Sequence, residues 1–226
     1  MKCRLLKLIN GIALLCLCNS AMASLIDFTD SSTIGSLTPI SNGYSGTVDG
    51  VGFTLTSTDG NVNFKQSYDG SASEGCQSNG GVLACDKDGT GINDDEIAGI
   101  GADNQKLTLT FDREVSITGF YFLDLYVNPN GSGAKEQATI TLDGTFFDTV
   151  AATGSNGDGG YADLVTAPVL ARTIDFTALT DPAFWDDFNN DYALAGVNVS
   201  AVPLPPTIWL MVAAFAGFAG VRRAVN

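Results

Sequence analysis

The chain has 226 residues, of which 25 are acidic, 11 basic and none histidine, for a formal charge of −14. The lack of histidine excludes Ser-His-Asp and Cys-His catalytic pairs and the usual zinc sites. The negative field repels a phosphate backbone and excludes nucleic acid as a partner.

At the N-terminus, Lys2, Arg4 and Lys7 precede an apolar run from Leu8 to Leu17, and Ala21-Met22-Ala23 supplies the small-x-small pattern of a signal peptidase site. Residues 1–23 are therefore expected to be a signal peptide, cut before Ser24. Three of the five cysteines leave with it, and Cys76 and Cys85 remain in an exported, oxidising setting, where they are expected to form a disulfide.

Residues 24–201 are the expected body, a normal size for one domain. All 25 acidic residues but only six basic ones fall there, so the body carries −19. Strand signals dominate, with period-two alternation between Gly, Asp and Asn turns, and no amphipathic helix stands out. Strands are predicted over 25–28, 52–56, 62–66, 106–111, 116–127, 137–142, 145–150, 173–176 and 192–200. Asp143-Gly144 suits a type I′ turn between two of them, the strongest hairpin signal in the chain. Half-buried strands in this number predict an all-β fold, a two-sheet β-sandwich of jelly-roll type, with a barrel as the main competitor. The Gly- and Asn-rich stretches 71–91, 128–133 and 154–160 read as long loops.

Two clusters in the body carry possible chemistry. The first, from Asp86 to Glu96, sets the hard oxygen ligands Asp86, Asp88, Asp94, Asp95 and Glu96 on a glycine-flexible loop beside Cys85, a composition that favours Ca2+. It departs from an EF-hand, since position 12 of the loop is Ile97 and no flanking helices are evident; the competing reading is an acidic exposed turn. The second, Asp186-Asp187-Phe188-Asn189-Asn190-Asp191, follows Phe184-Trp185. An aromatic beside carboxylates and amides can stack on a sugar ring while they bond its hydroxyls, or the aromatics can serve as core anchors and the polar residues as turns. A pair of carboxylates for glycoside hydrolysis can be drawn from so many acids in too many ways to have specificity.

The last 25 residues, 202–226, read as a sorting tail. Pro203, Pro205 and Pro206 confine helix to the residues after them, and 207–221 form an uncharged run that as a helix spans about 22 Å, marginal for a hydrocarbon core of ~30 Å. Arg222 and Arg223 follow, which the positive-inside tendency places in the cytoplasm. A transmembrane helix is thus predicted over 207–221, as a temporary hold or a permanent anchor.

Val202-Pro203-Leu204-Pro205, then an apolar helix, then Arg222-Arg223 resembles the PEP-CTERM sorting domain in its VPLPA-type variant, with Pro206 where that variant usually has Ala. The resemblance covers about a tenth of the chain. It implies an exported protein of a Gram-negative, exopolysaccharide-making bacterium, whose tail is recognised and removed by an exosortase, a membrane Cys protease. A second resemblance lies in the body: Gly91 to Ile97, then Leu107 to Asp112, then Val115-Ser116-Ile117 is similar to a pattern in many PEP-CTERM bodies. Those are generally taken to be β-sandwiches of unassigned activity.

The expected function is that of a non-catalytic protein of the cell surface or exopolysaccharide (biofilm) matrix. Its expected partners are signal peptidase, an exosortase-type protease and exopolysaccharide. A calcium-dependent carbohydrate-binding module is the alternative, and a carboxylate-based polysaccharide hydrolase the third reading.

Overall fold

Apolar residues at every second position, set against threonine and charge, make this chain extend and pair. The computed structural model describes residues 23–64, 76, 81–94, 96–100, 103–127, 135–153, 159–178 and 190–202. The elements in chain order are β1 (Ser24–Asp27), α1 (Ser31–Ser36), β2 (Thr38–Ile40), β3 (Gly43–Val48), β4 (Val51–Ser57), β5 (Val62–Phe64), β6 (Thr90–Ile92), β7 (Gly99–Ile100), β8 (Asp103–Asn104), β9 (Lys106–Tyr126), β10 (Gln137–Leu142), β11 (Thr145–Ala151), β12 (Gly159–Ala178) and β13 (Ala193–Ala201). The fold is all-β, as expected. Among the described residues, eleven strands join in one hydrogen-bonded sheet, and β7 and β8 pair separately.

Two long strands organise it. In β9, residues 107–111 pair with β4, and 115–123 pair with β13. The antiparallel β12 follows β9 along nearly its whole length, with register shifts between Gly160 and Ala162, Val165 and Val169, and Ala171 and Thr173. Pro168 sits in the widest of these, where its missing N–H costs no ladder bond. The sheet continues from β12 to β10 and β11.

The sequence predicts separate strands over 106–111 and 116–127, whereas the structure runs them together. Asp112, Arg113 and Glu114 are exposed yet remain extended, and Arg113 Nη2 donates to the Gly50 carbonyl at 2.9 Å, fastening the segment to the β3–β4 turn. The strand predicted over 173–176 likewise begins at Gly159. Strands β2 and β3 were not expected. Among the described residues one short helix is present, its first N–H groups capped by Asp30, which accepts from Ser32 N and Thr33 N.

The Asp143-Gly144 hairpin forms as predicted, with φ of 48° and 78°. Asp49-Gly50 makes a second turn of the same kind, φ 47° and 74°, between β3 and β4.

The main core gathers Phe53, Leu55, Leu107, Leu109, Ile117, Phe120, Phe122, Ile140, Ile174, Phe176 and Tyr192. Phe122 meets Tyr192 edge-to-face at 5.5 Å, a favoured aromatic geometry. Where β9 loses its alternation, at Phe120 to Leu123, both faces are covered. Tyr121 and Leu123 point away from the main core into a second cluster with Ala193, Ala195, Leu83 and Cys76.

The expected tail helix, 207–221, and the signal peptide up to residue 22 lie outside the described residues. Among the described residues no helix is long and apolar enough to cross a membrane.

Candidate functional site

Three local arrangements hold the polar chemistry of the body. The first is a clamp at the end of β1. Asp27 Oδ1 accepts from Thr29 N at 2.8 Å and from its hydroxyl at 2.6 Å, and Oδ2 accepts from Ala84 N at 2.7 Å. Thr29 Oγ1 in turn accepts from Cys85 N, and its carbonyl accepts from Asp86 N and Lys87 N. Cys76 and Cys85 are joined, with Cα atoms 6.0 Å apart. Ala84 and Cys85 are thereby tied to the end of β1, and both cysteines pack in the second core cluster.

The second arrangement is a carboxyl cluster. Glu136, only 3% exposed, precedes β10; its Oε2 accepts from Tyr126 N at 2.5 Å while its own N–H donates to the Tyr126 carbonyl. Burial pushes its carboxyl up to about 9, against the Tyr126 hydrogen bond; a shared hydrogen bond with Asp191 and the charges of Asp191 and Glu96 add to the rise. The charged form of Glu136 is thereby disfavoured. Beside it, Asn190 Oδ1 accepts from Gln137 N at 2.7 Å, Nδ2 donates to the Gln137 carbonyl, and the Asn190 carbonyl accepts from Gly99 N. Glu96 from the first predicted cluster and Asp191 from the second are thus brought to one buried glutamic acid that sequence reasoning missed.

The third is the outward face of the sheet over β4, β9, β12 and β10, opposite the core leucines and phenylalanines. Thr54-Leu55-Thr56, Thr108-Leu109-Thr110 and Thr139-Ile140-Thr141 alternate there in three strands. Pairing sets Thr56, Thr108, Asp175, Thr141 and Phe146 in one row across five strands. A parallel row holds Thr38, Ser45, Thr54, Thr110 and Thr173. Asp175 Oδ1 accepts from the Thr108 hydroxyl at 2.7 Å, and Oδ2 lies 3.7 Å from Lys106 Nζ. Phe146, at the end of its row, is 64% exposed.

Four of the five predicted calcium ligands, Asp86, Asp88, Asp94 and Glu96, lie among the described residues. Asp86 Oδ2 accepts from Ser31 N at the clamp, Asp88 is fully buried, and Asp94 Oδ1 accepts from Glu96 N. Asp95 lies outside the described residues, as do residues 179–189, which include Trp185 and Asp186 to Asn189 of the second predicted cluster. Among the described residues, no three His, Cys, Asp or Glu side chains gather as a metal site.

No family model matches the chain, and no curated protein does. Among solved structures it is similar to the third family-32 carbohydrate-binding module of a family 31 glycoside hydrolase from Clostridium perfringens. Identity is 22%, with 46% of this chain and 73% of that one covered and a TM-score of 0.31, a likeness too loose to carry an argument about this chain.

Proposed function

We propose that this chain is an exported, non-catalytic protein of the cell surface or exopolysaccharide matrix, delivered through its PEP-CTERM-type tail and built around a two-sheet jelly-roll sandwich. The observation that carries this reading is the disulfide loop. Cys76 and Cys85 are joined beside the clamp of Asp27 and Thr29, which holds Ala84 and Cys85, an arrangement suited to an oxidising compartment. The sandwich reading is supported by β9, which changes one neighbour along its length, from β4 over residues 107–111 to β13 over 115–123. A non-catalytic role is supported by Glu136, which lies in a nearly closed site engaged with backbone and so braces loops where a general acid has to meet a substrate.

The test is the mass and location of the protein in a host with and without its exosortase. Surface protein lacking Trp209 and Arg222 only when the protease is present supports the reading. Surface protein that keeps both residues overturns tail removal in favour of permanent anchoring, and protein confined to the cytoplasm overturns export.

A further inference from the structure

We infer that the row Phe146, Thr141, Asp175, Thr108 and Thr56 is a platform for an uncharged polysaccharide chain lying across the strands. The inference rests on the surface or matrix reading only for the supply of such a polymer.

Four observations carry it. Phe146 presents an apolar ring to solvent at the end of a row that is otherwise polar, and a ring of that kind stacks on the C–H face of a sugar. Hydrogen-bonding groups then recur once per strand, every ~4.8 Å, a step similar to the advance of one ring in an extended glycan. Asp175 is held by Thr108 and Lys106, so its carboxylate is positioned before any ligand arrives and accepts from a sugar hydroxyl with little ordering cost. The body's charge of −19 opposes an anionic polymer and selects a neutral one.

Regular threonine rows also suit a crystalline plane, but neighbouring strands rotate by about 20 to 25°, so five strands cannot lie flat against a lattice. A flexible chain follows that twist. A second copy of this protein pairing through β11, which bonds only β10 among the described strands, is opposed by two like charges of −19.

Native affinity electrophoresis of the purified full chain in mild detergent tests this, with hydroxyethylcellulose, galactomannan and dextran as neutral polymers and alginate as the anionic one. Retardation by at least one neutral polymer is expected, with little by alginate. Phe146→Ala, and separately Thr108→Val with Thr141→Val, weaken it about tenfold, while Leu170→Ala, an exposed apolar residue outside the row, leaves it unchanged. Far-ultraviolet melting checks that each variant folds, and Asp175→Asn serves in place of any that does not. Failure of all three neutral polymers overturns the inference, as does equal retardation by alginate. So does a Phe146→Ala effect seen in light scattering alone, which marks the face as a contact between copies. Surface-located protein that no neutral polymer retards refutes this inference and leaves the proposed function standing; retarded protein that stays in the cytoplasm does the reverse.

Discussion

Asp27 receives the backbone N–H of Ala84, 57 residues further along, through the carboxylate oxygen that Thr29 leaves vacant. The site is buried, so removing the acceptor leaves three donors to find other partners. Asp27→Ala is expected to lower stability by about 2 to 3 kcal/mol in urea titration and to open the neighbouring loop to proteolysis. Unchanged stability together with unchanged cleavage would show that the clamp is dispensable.

Reduction addresses the same loop from its other side. Cys76 and Cys85 close a loop with a sequence separation of 9, worth roughly 2 to 3 kcal/mol in the chain-entropy model. Dithiothreitol, or Cys76→Ala with Cys85→Ala, is expected to lower the unfolding midpoint. Near-ultraviolet circular dichroism should also lose intensity from Tyr121 and Tyr161, which pack in the second cluster with both cysteines. Equal midpoints with and without reductant would sink the idea.

Glu136 gives the body an unusual response to alkali. Its folded-state pKa lies near 9, above its ordinary 4.5, so the folded protein binds the extra proton; that stability is fully present below about 4.5 and is lost as pH rises towards 9. Asp30 works in the opposite sense. Its hydrogen bonds to Ser32 and Thr33 hold it near 2, so its contribution is present above about 3.8 and is lost as pH falls through 2. Glu136→Gln keeps an acceptor for Tyr126 N and removes the titration, so the variant should exceed the parent by on the order of 1 to 3 kcal/mol at pH 8 and match it near pH 5. Urea midpoints at pH 5, 7 and 9 decide the matter, and parallel curves for the two proteins would refute it.

Thr139 offers a stabilising change. Its hydroxyl oxygen is buried and, among the described residues, has no hydrogen-bond partner, while the shape of valine is nearly the same. Thr139→Val is expected to gain about 1 kcal/mol, read as a rise in melting temperature. A fall in that temperature would mean that the hydroxyl is satisfied after all.

What the sequence discloses follows from how local the cause is. The Asp143-Gly144 hairpin is legible because turn chemistry and alternation lie within a dozen residues of each other. Asp49-Gly50 has the same chemistry, but Gly43–Val48 lacks a clean alternation and is half-buried almost throughout, so β3 is hidden. The first part of β12 is obscured by Pro168 and small residues, and what holds it extended is the neighbouring β9. Glu136 is illegible for a different reason. It is a lone acid after a glycine-rich stretch, and the charges that raise its pKa come from Glu96 and Asp191, which only the folded chain brings close. The Thr-x-Thr alternations can be read one strand at a time, whereas their alignment into rows is a matter of register.

Strand β1 lies against β13 with Ser24 opposite Val199. The chain therefore enters and leaves the body at neighbouring points on one edge. Tension that separates those two points peels β1 from β13 one rung at a time and yields at low force.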